Sequence, residues 1–518
     1  MKRTTLSLIA VATALAAVTG FAALTAPDGT TKTPAVAVQP LPVERSSLLC
    51  PAPSTSEVAE TAYTSYTPQG KPGTSGTSSS TGTSGASGTS AASVAAKAEL
   101  KPATSAATPG GSTAKKPAAK APATVTQPGT PVSAEANGGA APALTGSATG
   151  TLAPGWTVQQ TTVVPAGGAR GLLGVTCTAP DTDFWFPAAS TAKDRQDYVH
   201  LTNPDDTAAV ADIELYGPEG ALPSQLTEGI PVPARSSVPV LLSTLTAEKP
   251  AADVTVHVTA RSGRVGAVIG SADDKLGSDW LPAAADPAAT AVLPGIPADA
   301  TSVRLVAYVP GEDDADLKIQ LVSETGTIVP AGAQSLHVKS GMTAAVDLPD
   351  LTRGEVGSLL LTPSDAKKPT PFVAALRVVR GKGENHEVAF VPATAAISAR
   401  ATVADNRSAG STLALTAPGA TAEVKVTASA GTEGGTPVSK TFTVKAGTTT
   451  KVTGLVPTGL KGSYALTVER LSGGPVHASR TLALPQDGVP MFTVQTLSDD
   501  RGTVEVPKAK QDLSVLDD

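Results

Sequence analysis

From residue 183 to residue 497 the chain alternates apolar and polar positions in short runs. In Val254-Thr255-Val256-His257-Val258 the three valines share one face, as the two-residue side-chain period of a β-strand requires. Comparable runs are Val238–Leu242 and Val265–Ile269, then Leu317–Val322, Ala345–Leu348 and Phe372–Val379, then Val424–Val426, Thr441–Val444 and Tyr464–Val468. Turn-forming clusters punctuate them, among them Pro204-Asp205-Asp206, Gly217-Pro218-Glu219-Gly220, Lys339-Ser340-Gly341 and Lys445-Ala446-Gly447. The pattern predicts strands throughout.

The runs are copied. Asp183-Phe184-Trp185-Phe186-Pro187-Ala188 is echoed by Ser278-Asp279-Trp280-Leu281-Pro282-Ala283 and by Val388-Ala389-Phe390-Val391-Pro392-Ala393. The following strand ends at Pro204, and its copies at Pro310 and Pro418. A repeat of about 100 residues is a whole domain and not a solenoid unit. With about seven short strands per copy, the expected fold is all-β: tandem immunoglobulin-like β-sandwiches over residues 184–278, 279–388 and 389–497. A closed barrel per copy, or one propeller, suits the repeat length less well. The charged tail, 498–518, is expected to be disordered.

Before the copies the text changes. Met1-Lys2-Arg3 and an uncharged, mostly apolar stretch to Ala26 have the layout of an export signal over residues 1–29, either cleaved or kept as an anchor helix. A linker (30–40) leads to an N-terminal β unit made of 41–68 and 151–183, split by a long insert at 69–150. From Thr67 to Gly155 no aromatic residue occurs, and Ser, Thr, Gly, Ala, Pro and Lys dominate. Such chain is expected to be disordered, because it lacks the apolar surface that offsets ordering entropy. Its six lysines against two acids would allow a loose association with anionic polymers. A solvated tether accounts for the composition more simply.

The two cysteines, Cys50 and Cys177, each end a short apolar strand. In an exported chain they are expected to form a disulfide. No partner residues suggest a thiolate metal site.

Taken in order, the export segment, Ser47-Leu48-Leu49-Cys50-Pro51, Cys177-Thr178-Ala179-Pro180 with Phe184-Trp185-Phe186, and Leu201-Thr202-Asn203-Pro204 resemble a family of secreted actinobacterial proteins catalogued only as a domain of unknown function. The resemblance implies an extracytoplasmic protein, free or tethered to the membrane, with a link to the cell envelope. It supplies no catalytic residues.

Chemistry is sparse. The formal charge of −6 offers no basic field for nucleic acid. Five histidines, at 200, 257, 337, 386 and 477, lack metal-ligand spacing. The acid clusters Asp205-Asp206, Asp273-Asp274, Glu312-Asp313-Asp314 and Asp499-Asp500 sit beside turn residues. That placement favours solvated turns over the facing carboxylates of a glycosidase. Trp185 and Trp280 are the candidate glycan contacts, provided their rings are exposed. The expectation is a non-catalytic envelope protein without cofactor, binding or scaffolding an envelope protein or wall polymer, and meeting the membrane only through its N-terminal segment. The alternative is a carbohydrate-binding protein or an accessory hydrolase acting on wall glycan.

Overall fold

The computed structural model describes residues 38–70, 96–105, 124–225 and 228–507. The export segment, most of the linker, much of the insert and the last residues of the tail lie outside these. Among the described residues no helix is long and apolar enough to cross a membrane.

Two units are resolved. The smaller is a two-stranded sheet of Val38–Pro42 and Thr503–Pro507. Part of the predicted disordered tail is therefore a strand. The larger unit, Pro42–Thr503, is built from β-sandwiches with one strand order. In the first copy the opening strand Asp183–Ala189 pairs with the fifth, Val254–Ser262, which pairs with the third, Ala209–Gly217. On the other sheet the fourth, Ser236–Leu241, pairs with the second, Arg195–Thr202, then the sixth, Gly266–Asp273, and the closing strand, Gly277–Leu281. The second and third copies repeat this order. The architecture is the two-sheet sandwich, with a connectivity of its own. The immunoglobulin order places the first, second, fifth and fourth strands together. Here the chain changes sheet at each step except at the last hairpin and just after the third strand, where a further strand (Ile230–Val232 in the first copy) pairs back on the same sheet.

The N-terminal region has the same order, so it is a fourth copy. Arg45–Cys50, Leu144–Thr149 and Lys97–Pro102 form one sheet. Val132–Asn137, Glu60–Tyr66, Thr157–Val164 and Gly171–Thr176 form the other. This corrects the reading of 69–150 as a disordered insert: residues 97–102, 104–105, 124–125, 132–137 and 144–149 are strands. The physical reason is size. Ala98 and Leu100 point inward, as do Leu144, Gly146 and Ala148. The bulk they lack is supplied by Trp156, whose ring fills the space above Gly146. The indole Nε1–H donates to Ser65 Oγ at 2.9 Å. One large residue thus lets small-residue strands pack a core.

The repeat register is also corrected. Trp185 lies in an opening strand, whereas Trp280 and Phe390 lie in closing strands. All run into Pro-Ala, so short stretches of text match although the strands are not equivalent. The true counterpart of Phe186-Pro187-Ala188 is Leu293-Pro294-Gly295. Both stretches hold a β-bulge, with Ala188 and Gly295 at φ of 74° and 79°.

The four sandwiches close on one another in the larger unit. The opening strand Asp183–Ala189 lies on Ala300–Tyr308 and Val373–Lys382 of the next sandwich. Ala291–Ile296 lies on Ser411–Ala417 and His477–Ala483 in the same way. Arg400–Asn406 of the last sandwich then returns to Glu60–Tyr66 and Thr157–Val164 of the front one. Leu49 of the front opening strand meets Gly266 of the first copy. A head-to-tail contact repeated with a closing rotation makes a ring.

Candidate functional site

At the middle of this ring the four closing strands meet. Gly171–Thr176 touches Gly277–Leu281 and Phe492–Leu497, and Asn385–Pro392 touches the same two. Each is the last strand of its sheet, so its outward N–H groups need partners. Asp279 and Glu387 supply them. Asp279 Oδ1 accepts from the N–H of Gly174 at 3.0 Å and from that of Trp280 at 2.8 Å. The Thr493 hydroxyl donates to Asp279 Oδ2 at 2.9 Å, and Gln495 Nε2 donates to Thr493 at 2.8 Å. Glu387 Oε1 accepts from Leu172 N–H at 2.8 Å. Arg170 reaches across to the carbonyl of His386 at 2.6 Å.

Both carboxyls are buried, and neither forms an ion pair among the described residues. Burial pushes Asp279 well above the usual carboxylate range, and it raises Glu387 to about 8. Glycine is required at the same place. A side chain at Gly171 would run into Ser278 backbone, and one at Gly174 into Gln495.

The sequence-predicted residues fall as follows. Cys50 and Cys177 form the disulfide. It joins the end of the front sandwich's opening strand to the residue after its closing strand, and so ties its two sheets. The candidate glycan contacts are not exposed: Trp185 is 7% and Trp280 2% accessible. Trp280 packs with Leu173, Val175 and Val268 between the front and first sandwiches. Trp185 is stacked between His257 at 3.7 Å and Tyr308 of the next sandwich at 5.6 Å. Neither ring forms a platform, because junction formation covers both. Trp185→Ala is expected to lower stability by about 3 kcal/mol, within the range for deleting a buried aromatic ring. Chemical unfolding measures it, and an effect below about 1 kcal/mol would mean the junction is loose.

Around Trp185 the outer sheet face carries acids. His257 lies 3.0 Å from Asp183 Oδ2 and 3.2 Å from Glu214 Oε2, and the Tyr216 hydroxyl donates to Glu214 at 3.0 Å. The acid clusters serve the fold. Asp205 pairs with Arg264 at 3.0 Å, and Asp273 Oδ1 caps the N–H groups of Lys275 and Leu276. Asp499 Oδ1 accepts from the N–H of Ala399 and Arg400 at 3.1 Å, and Asp500 pairs with Arg400. No group of three or more His, Cys, Asp or Glu among the described residues could hold a metal ion.

The sequence profile of a family of unknown function, DUF5719, matches residues 132–454. The chain belongs to that family. The DUF5719 match begins at the fourth strand of the front sandwich, spans the first and second copies and ends inside the third. It therefore includes Asp279 and Glu387. No curated protein and no solved structure matches the chain.

Sequence reasoning missed the two seam carboxyls. A signal was available: each is a lone acid inside an apolar strand, in Ser278-Asp279-Trp280-Leu281 and His386-Glu387-Val388-Ala389. An acid there is exceptional unless it is satisfied internally.

Proposed function

We propose that this DUF5719 protein is a non-catalytic, extracytoplasmic cell-envelope module that binds or scaffolds other envelope components. The observation that carries the reading is the ring: four sandwiches held by repeated junctions and a buried seam give a stiff body with fixed loop positions. Binding surfaces gain from such pre-organisation, because less motion has to be frozen on association. The Cys50–Cys177 link supports a location outside the cytosol, where disulfides persist. The Met1-Lys2-Arg3 leader supports export.

Fractionation of producing cells, with a non-reducing gel and a co-sedimentation assay on isolated envelope, tests the reading. The expected result is an oxidised chain in the extracytoplasmic fractions that sediments with envelope. A reduced chain in the cytosol, or one that stays in the supernatant when the envelope sediments, would overturn it.

A further inference from the structure

Where the first sandwich meets the second, a cleft of about 310 Å³ is lined by Ser190, Asp194, Arg195, Asp273, Lys275 and Arg377, among others. Most of its charges are already taken up. Arg195 is bound to Asp197 at 2.6 Å and to Ser271 Oγ at 2.9 Å, and its guanidinium lies 5.5 Å from the Phe390 ring centre. Asp273 holds its own turn through two N–H groups at 2.9 Å. Nearby Arg304 is shared between Asp253 at 2.8 Å and Asp347 at 2.7 Å.

Arg377 is different. It stands opposite Phe390 in the strand register and is half-buried. Its guanidinium makes no hydrogen bond or ion pair with any described residue. Burial, then the neighbouring Arg195 charge, pull its pKa down, and the nearby Asp253 and Asp273 offset this only in part without pairing with it. Lys275, exposed on the facing turn, adds a second free cation. Asp194, also exposed, sets the limit. It repels an extended polyanion and leaves room for one anionic group seated at Arg377.

We propose that this cleft binds a single oxyanion, the carboxylate or phosphate substituent of a wall polymer, with Arg377 as the forked donor and Lys275 as the second cation. A guanidinium with free N–H groups fits both anions in a paired geometry that an ammonium cannot copy. The proposal rests on the reading of the chain as an envelope-binding module.

Calorimetric titration of the full chain at low salt with glucuronate and with glycerol phosphate tests it, and the tighter ligand identifies the source of the anion. Saturable binding is expected, weakened roughly tenfold or more in Arg377→Gln and to an intermediate degree in Arg377→Lys. Lys275→Gln is expected to weaken it roughly two- to threefold. An unchanged unfolding midpoint shows that a variant is folded. If Arg377→Gln does not fold, Arg377→Lys and Lys275→Gln carry the comparison. Failure of both ligands to titrate by about 10 mM, near the weak end of specific recognition, overturns the site, as does wild-type affinity in the Arg377 variants. A chain that sediments with envelope yet fails to titrate removes this site alone.

Discussion

Between about pH 5 and about pH 9 the Glu387 carboxyl is expected to withdraw roughly 3 to 5 kcal/mol of stability, a share that is absent from Glu387→Gln. The Glu387 carboxyl has an ordinary value of 4.5 and is raised to about 8 in the folded seam. Within that window the folded chain binds more protons than the unfolded one, so stability falls as pH rises. Below it both states are protonated and the full contribution is present. Above it both are ionised, and the folded state holds a buried, unpaired carboxylate. Asp279 acts in the same direction. His200 and His477 act oppositely: burial lowers each to about 4, so they cost stability as pH falls below 6.5. Glu387→Gln keeps an acceptor for Leu172 N–H and removes the titration. Urea unfolding midpoints across pH measure the effect. Equal alkaline slopes in the two proteins would show that the seam carboxyl is ionised and solvated already.

Removing the disulfide is expected to be as costly. Cys50 and Cys177 are 127 residues apart, and closing a loop of that length in the unfolded chain is worth about 4 to 5 kcal/mol as an upper figure. Among the described residues the front sandwich has the smallest of the four sandwich cores, with Tyr63 and Trp156 as its large members. A paired Cys50→Ala and Cys177→Ala variant should therefore unfold this sandwich first. Limited proteolysis within residues 45–176, with the other three sandwiches left intact, is the readout. Coincident loss of all four sandwiches would show that the ring melts as one unit, and an unchanged midpoint that the link contributes nothing.

The strands of the three later copies were legible because valine and leucine alternate in them, as in Val254–Val258. The outer strands of the front copy were legible as a β unit, but its middle strands were not, since they are written in alanine, glycine and threonine and borrow bulk from Trp156. Its register mark was nevertheless present. Thr67-Pro68 ends its second strand, as Asn203-Pro204 ends that of the first copy. Core position by itself also misleads. Ile269 and Leu376 lie opposite Val199 and Leu305, and the equivalent places are filled by Gln160 opposite Tyr63 and Arg480 opposite Leu413. Arg480 is wholly buried, and burial brings its pKa down to about 10. Ring closure leaves no local mark in the sequence, because it depends on strands hundreds of residues apart. The carboxyls that bind the seam were visible only as acids out of place.

Hydrogen exchange at the four closing strands tests ring closure most directly. Each is an edge strand of its own sandwich, so in four independent beads its outward amides would exchange at nearly solvent rates while the inner strands stayed protected. The ring predicts slow exchange at Leu172 and Gly174, whose N–H groups are bound across the seam to Glu387 and Asp279, and joint loss of that protection when Gly171 is replaced by valine. Fast exchange of these amides in the native protein would contradict it.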